Sequence, residues 1–305
     1  MADLLDRMLT MNALWTAWAA VEDNAGQPGG DGVSLTRFAR RLDAQLLTLT
    51  DDVRAGRYAP GAARRVHVQF GAKRRTLDIL PVRDRVLQRA ALDVLTAPID
   101  ATFLPGSYGY RPGRSLHDAV RRIVRLRGRG LLWVLDADIA DCFPNLERDR
   151  LMDFVRALIP DQDLIDLIAI WIDVNIDVNS GAPEAAGISL GAPISPLFCN
   201  IYLHHLDSSL ARRRLHVVRY ADDFVVLCGS QARAEWALRA TEKVVRGLGL
   251  SLNAKKTRLV TFDDGFDFLG VHFERNHFTY VSDGKRITVD GEVPPFLHEL
   301  PDGYQ

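Results

Sequence analysis

Apolar residues recur at helical spacing from Met1 to about Val21, which predicts an amphipathic helix, and the GQPGGDG run at 26–32 predicts a flexible connector. The spacing resumes at Ser34, with Phe38, Leu42, Leu46 and Leu49 on one face and Gly56 where a helix C-cap is expected. Beyond Gly56 the period shortens. RRVHVQF and RRTLDILP read as strands around Gly71, followed by a helix from Asp84 to Leu95. LLWVLDADI predicts a buried strand, and LMDFVRALI and LIDLIAIWI predict helices. HVVRY and FVVLC predict two strands joined by an acidic turn, and HFTYVSDGKRITV predicts a hairpin with an Asp-Gly turn ahead of Pro294 and Pro295. No internal repeat or low-complexity segment interrupts this order.

A chain of 305 residues can bury one large core or two modest ones without staples. Cys142, Cys199 and Cys228 have no CxxC or paired spacing, which points to a reducing compartment, the cytoplasm by default, rather than to disulfides or a zinc site. Acids precede the first apolar stretch and no run is long enough for a bilayer, so neither a signal peptide nor a membrane partner is expected. The net charge of -1 conceals a partition: Arg54 to Arg129 holds 17 Lys/Arg against 5 Asp/Glu, about +12, which leaves about -13 on the remainder. That basic stretch is either a solvated face or a surface that follows a phosphate backbone.

Candidate chemistry lies where apolar strands end in carboxylates. LLWVLDADIADCF would be a core strand, yet it carries Asp136, Asp138 and Asp141, and unpaired buried carboxylates are costly. Alternation puts Asp136 and Asp138 on one face; an Arg salt bridge, or an N-cap role for Asp141, would account for them as well as a cation would. In VVRYADDFVVLC, Asp222 and Asp223 stand side by side in a tight turn, where their repulsion calls for a positive partner. With three Asp and no His/Cys cluster, Mg²⁺ is the simplest candidate, and two such ions would suit nucleotidyl transfer.

Seven blocks carry a resemblance. RRTLDILPVRDRVLQRAALDVL, SYGYRPGRSLHDAV, DADIADCFPNL, GISLGAPISPLFCNIYLHHLD, RYADD, LGLSLNAKKTRLV and FDFLGVHF occur in this order over about 60–275. The ordered set resembles the group II intron-like branch of the reverse transcriptases, prokaryotic RNA-directed DNA polymerases, including the CRISPR-associated and other defence-associated enzymes. The resemblance implies that Asp138, Asp222 and Asp223 hold two Mg²⁺ ions (Mn²⁺ being an alternative), and that Lys256 protonates the leaving pyrophosphate. It implies that Lys73 and Arg75 hold the triphosphate, that Asp141 approaches it through its backbone N–H, and that Phe143 is a steric gate against a 2′-hydroxyl. On composition alone a core role for Phe143 is the alternative to the gate, and surface charge is the alternative for Lys255 and Lys256. Tyr220 is implied to pack beneath the template-primer end, and the Phe268–Gly270 segment to grip the primer. Small residues including Gly191 are implied to admit the nascent base pair, although Ser189-Leu190-Gly191 replaces the family's frequent Pro-Gln-Gly. Arg111 and Arg114 of SYGYRPGRS would touch template phosphates or the motif A loop, or be solvated beside a structural turn.

The expected fold is α+β, a right-hand polymerase fingers-palm core with an antiparallel palm sheet and no thumb. Its expected parts are an N-terminal helical extension (1–56), basic fingers and the start of the palm (57–130), the palm (131–275) with a fingers insertion at about 150–187, and a short β or irregular tail (276–305). The expected partners are an RNA template, a DNA or RNA primer, dNTPs, a protein or RNA supplying thumb function, and, in a CRISPR spacer-acquisition setting, the integrase. An intron retroelement enzyme, an RNA-directed RNA polymerase, a nucleotide cyclase and a catalytically silent nucleic-acid-binding module are the rival readings.

Overall fold

The computed structural model describes residues 3–70, 73–173, 187–282 and 285–290. The chain opens with α1 (Leu4–Met8), α2 (Met11–Asp23), α3 (Leu35–Ala39) and α4 (Leu42–Arg54), then β1 (Arg64–Phe70), β2 (Lys73–Ile79) and α5 (Val82–Asp100). There follow α6 (Leu116–Gly128), β3 (Trp133–Asp138), α7 (Cys142–Asn145), α8 (Arg148–Leu158), α9 (Gln162–Asp173) and α10 (Ser195–Arg212). The last elements are β4 (His216–Tyr220), β5 (Asp223–Cys228), α11 (Gln231–Gly247), β6 (Arg258–Thr261), β7 (Phe266–Phe268), β8 (Val271–Glu274), β9 (His277–Ser282) and β10 (Lys285–Asp290).

The two N-terminal helices expected from periodicity are each broken once. Thr10 caps α2 by accepting from the Ala13 N–H, and a cap of this kind competes with continuous helix. The second break falls at Arg40 and Arg41, between α3 and α4. The helix expected from Asp84 runs further at both ends, and it contains Pro98. Residues 174–186, in the expected fingers insertion, and the Asp283-Gly284 turn lie outside the described residues, as do Gly71, Pro294 and Pro295.

Two compact units result, each built from two chain segments: Met1–Ala101 with Phe143–Ile201, and Thr102–Cys142 with Tyr202–Gln305. In the first, a buried polar knot ties α5 and α9 to the segment that holds Tyr58 and Gly61. Tyr58 Oη donates to Asp84 Oδ1 at 2.9 Å, the Gly61 N–H donates to Asp84 Oδ2 at 2.8 Å, and Trp171 Nε1 donates to Tyr58 Oη at 3.1 Å. Burial pushes the Asp84 carboxyl up despite these donors. Several arginines of the basic stretch are also spent internally in this unit: Arg64 donates to the Pro28 carbonyl, Arg65 pairs with Asp78, and Arg85 donates to the Gln27 carbonyl.

The second unit is built on two antiparallel sheets, ordered β4-β5-β3-β6 and β10-β9-β8-β7. Val134, Val225 and Leu227 pack with Ala119, Val120, Ile123 and Leu126 of α6 on one face of the first sheet. Alternation turns Leu135, Ala137, Phe224 and Val226 to the other face, where they are buried too. Coverage of both faces explains why β3 and β5 read as near-continuous apolar runs. The same core continues into Phe262, Phe266 and Phe273 of the second sheet region, with the Phe266 and Phe273 rings stacked at 5.0 Å. Among the described residues, the stretch after α11 is β-structure.

Candidate active site

Three of the carboxylates singled out in the sequence, Asp138, Asp222 and Asp223, lie at one end of the β4-β5-β3-β6 sheet. Cross-strand register makes Asp138, the last residue of β3, the partner of Asp223, the first residue of β5. Tyr220 closes the β4-β5 hairpin opposite Asp223, which leaves Ala221 and Asp222 as a two-residue turn. Ala221 has φ 57°, the left-handed conformation that such hairpin turns require and that a non-glycine residue adopts only under support.

Burial pushes the Asp223 carboxyl up to about 7, and the negative fields of Asp136, Asp138 and Asp222 add to it, against a smaller opposing effect of Lys256. Carboxylates brought together at this depth need a cation. One is already there. Lys256 Nζ donates to Asp138 Oδ1 at 2.7 Å, and Asn253 Nδ2 donates to Asp138 Oδ2 at 3.2 Å. The backbone continues the connection: the Asn253 N–H donates to the Asp138 carbonyl at 2.8 Å and the Ala140 N–H to the Ser251 carbonyl at 2.9 Å. Asn253 also organises its own turn, with Oδ1 accepting from the Lys255 N–H and its carbonyl accepting from the Lys256 and Thr257 N–H groups. Sequence reasoning passed over Asn253; the signal was an Asx-turn residue just ahead of a lysine pair.

Asp136 shares the Asp138 face but has a different environment. It is buried, it lies opposite Arg258 of β6, and Arg258 Nε donates to its Oδ2 at 2.9 Å. Burial raises its carboxyl and the Arg258 contact lowers it, so Asp136 is the salt-bridged residue that the sequence left open.

A profile of the family described as reverse transcriptase (RNA-dependent DNA polymerase) matches residues 69–273. The chain belongs to the reverse transcriptase family. Its enzymatic class is therefore that of an RNA-directed DNA polymerase. Protein YkfC of Escherichia coli (strain K12) is 32% identical to this reverse transcriptase over 316 residues, which cover 87% of the chain and 82% of YkfC. The group II intron-encoded protein LtrA of Lactococcus lactis subsp. cremoris is 29% identical over 182 residues, covering 57% of the chain and 29% of LtrA. A solved Cas6-RT-Cas1--Cas2 complex contains a chain with the same fold, at a TM-score of 0.51 and 22% identity over 95% of the reverse transcriptase and 36% of that chain. The chain thus spans most of YkfC but about a third or less of these two longer proteins.

The remaining expected site residues of the reverse transcriptase divide between the units. Asp141, exposed and with φ 43°, belongs to the second unit. Phe143 belongs to the first; its ring is buried and its carbonyl accepts from the Ile188 N–H at 3.0 Å. Gly191 has φ 114°, and a Cβ there would come within 2.8 Å of the Asp78 carbonyl, so only glycine fits beside β2. The backbones of Lys73 and Arg75 lie in β2, paired with Phe70 and Val68, and their side chains fall outside the described residues. Arg111 is not a surface cation: it is buried, and it donates to the Leu104 and Ser107 carbonyls. Arg114 donates to the Pro105 carbonyl and lies over the Tyr108 ring. Tyr220 packs at a tilt against Tyr110, with ring centroids 6.5 Å apart. Among the described residues no helix is long and apolar enough to cross a membrane.

A divalent cation suits this site by donor chemistry, because the oxygens are all hard carboxylate donors and their crowding raises Asp223. Among the described residues no three His, Cys, Asp or Glu side chains form a ready cage. Mg²⁺ does not require one, since it keeps several waters and takes one or two carboxylates together with substrate phosphates.

Proposed function

We propose that this chain copies RNA into DNA by extending a DNA or RNA primer with dNTPs, with Asp138, Asp222 and Asp223 as the ligands of two Mg²⁺ ions. The observation that carries the proposal is the register of Asp138 against Asp223, beside the Asp222 turn, in a chain of the reverse transcriptase family. Bound cations supply activation of the primer 3′-hydroxyl and neutralisation of the leaving pyrophosphate. Lys256, whose ammonium reaches the same carboxylate, donates a proton to that pyrophosphate. Phe143 excludes the ribose 2′-hydroxyl, Lys73, Arg75 and the Asp141 N–H hold the triphosphate, and Gly191 admits the nascent base pair.

The setting proposed is spacer acquisition in prokaryotic defence, with a CRISPR integrase as partner; its support is the fold shared with a chain of the Cas6-RT-Cas1--Cas2 complex. Similarity to LtrA favours a second reading, an intron retroelement enzyme. Weak grip on the duplex, relieved by a protein or RNA partner that supplies thumb function, belongs to the same proposal; its support is that the described residues after α11 form strands β6 to β10. The deciding assay is Mg²⁺-dependent dNTP incorporation on a primed RNA template, comparing the parent with Asp222→Ala/Asp223→Ala. Incorporation lost in the double variant is expected. A folded parent that incorporates nothing with any primer would leave a nucleic-acid-binding module as the better reading.

A further inference from the structure

The acidic turn is backed by an ion pair with no place in the chemistry above. Arg219, two residues before Ala221, is fully buried, and Asp207 of α10 is buried beside it. Arg219 Nε donates to Asp207 Oδ1 at 2.9 Å, and Nη2 donates to Asp207 Oδ2 at 2.6 Å and to Ser107 Oγ at 2.9 Å. The remaining guanidinium nitrogen, Nη1, donates to the Ala221 carbonyl at 2.8 Å. Its backbone is held as well: the Arg219 N–H donates to the Gly106 carbonyl and its carbonyl accepts from the Tyr108 N–H, both at 2.8 Å. The 106–109 segment lies so close behind the hairpin that a Cβ on Gly109 would sit 2.5 Å from the Ala221 nitrogen and one on Gly106 2.5 Å from the Val217 carbonyl.

A guanidinium is suited to this arrangement. Its planar fork takes the carboxylate of Asp207 on one side while a third nitrogen reaches a carbonyl, a set of directions that a lysine ammonium does not fix. The carbonyl it holds belongs to the residue with φ 57°, the strained position that sets where Asp222 and Asp223 point. Burial makes the charged hydrogen bond to that carbonyl stronger than the same contact in water.

We infer that Arg219 is a positioning residue: through the Ala221 carbonyl, and braced by Asp207 and Ser107, it holds the acidic turn in the conformation that binds divalent cations. This rests on the metal-binding reading of Asp138, Asp222 and Asp223 given above. It separates two roles of the ion pair, folding the unit and shaping the turn, that a single deletion would confuse.

The test is Mn²⁺ binding to the free protein, followed by electron paramagnetic resonance, with thermal unfolding measured in parallel. Asp222→Ala/Asp223→Ala sets the zero. The informative variant is Asp207→Leu/Arg219→Met, which replaces both buried charges by apolar groups of similar size and so leaves no unpaired charge in the core. It is expected to fold and to bind Mn²⁺ about tenfold more weakly or worse. Ser107→Ala, which removes one neutral partner of the guanidinium, gives a smaller loss of the same sign and stays interpretable if the double variant does not fold. Parental Mn²⁺ affinity in whichever of these variants folds would overturn the inference and leave the metal reading standing. No Mn²⁺ binding by the parent would overturn the metal reading, and the inference with it.

Discussion

Lys256 and Asp138, 118 positions apart in the sequence, form an ion pair at 2.7 Å across the mouth of the carboxylate cluster. If Asp138 is a metal ligand, as proposed, the lysine holds one of the oxygens that ligand would offer, and the two cations would compete for it in the free protein. Lys256→Ala is expected to tighten Mn²⁺ binding by the free protein several-fold while lowering the rate of incorporation at least tenfold. Because the lysine side chain is half exposed, stability should change by less than about 1 kcal/mol. Weaker metal binding in this variant would refute the competition.

Asp223 makes the metal-free protein sensitive to pH. Its folded-state value of about 7 lies above the ordinary 3.8, so the folded state binds this proton more tightly than the unfolded chain does. The stability contributed is fully present below pH 3.8 and is lost as pH rises to about 7. In metal-free buffer Asp223→Asn should remove that part of the slope and raise stability near neutrality by about 2–4 kcal/mol, while abolishing synthesis. Denaturant unfolding at several pH values measures it; equal slopes in parent and variant would count against it.

Asp136 and Asp138 should respond differently to the same substitution. Asp138→Asn is expected to abolish incorporation, whereas Asp136→Asn should retain most of it. Arg258→Met leaves a buried carboxylate without its partner and should cost about 1–3 kcal/mol, increasingly at higher pH as that carboxylate ionises. Parallel activity and unfolding measurements separate the two roles, and equal activity losses would merge them.

Gly109→Ala places a methyl group against the backbone of the acidic turn. It should lower stability by about 1–3 kcal/mol and slow incorporation, the turn having to move to make room. Unchanged incorporation by this variant would show that the turn tolerates displacement.

Phe143→Ala tests the steric gate against simple packing. Loss of the buried ring should cost about 3–5 kcal/mol in either case. Only a gate predicts that the preference for dNTP over rNTP also falls, by about tenfold or more. Competitive incorporation of the two nucleotide types reads this ratio independently of total activity.

Much of the site was legible along the chain because it is locally encoded. The apolar, β-forming runs in LLWVLDADI and HVVRY-ADD-FVVLC were enough to predict the strands and the acidic turn between the last two, and strand alternation was enough to place Asp136 and Asp138 on one face. What alternation cannot supply is the identity of each neighbour. Register put Arg258 opposite Asp136 and Asp223 opposite Asp138, and so gave Asp136 an arginine partner across the sheet and set Asp138, held by Lys256, directly beside Asp223. Arg111, which reads as a surface cation, is buried against carbonyls of its own loop, and Arg219, an unremarked charge in an apolar strand, meets Asp207 and Ser107 from distant segments. Secondary structure and facing follow from short-range sterics and from apolar burial with a period of two or 3.6 residues, so the sequence by itself determined them. Which charge is paired, which is buried and which stands next to another depends on contacts between residues far apart in the chain, and those only the packing of the tertiary structure decided.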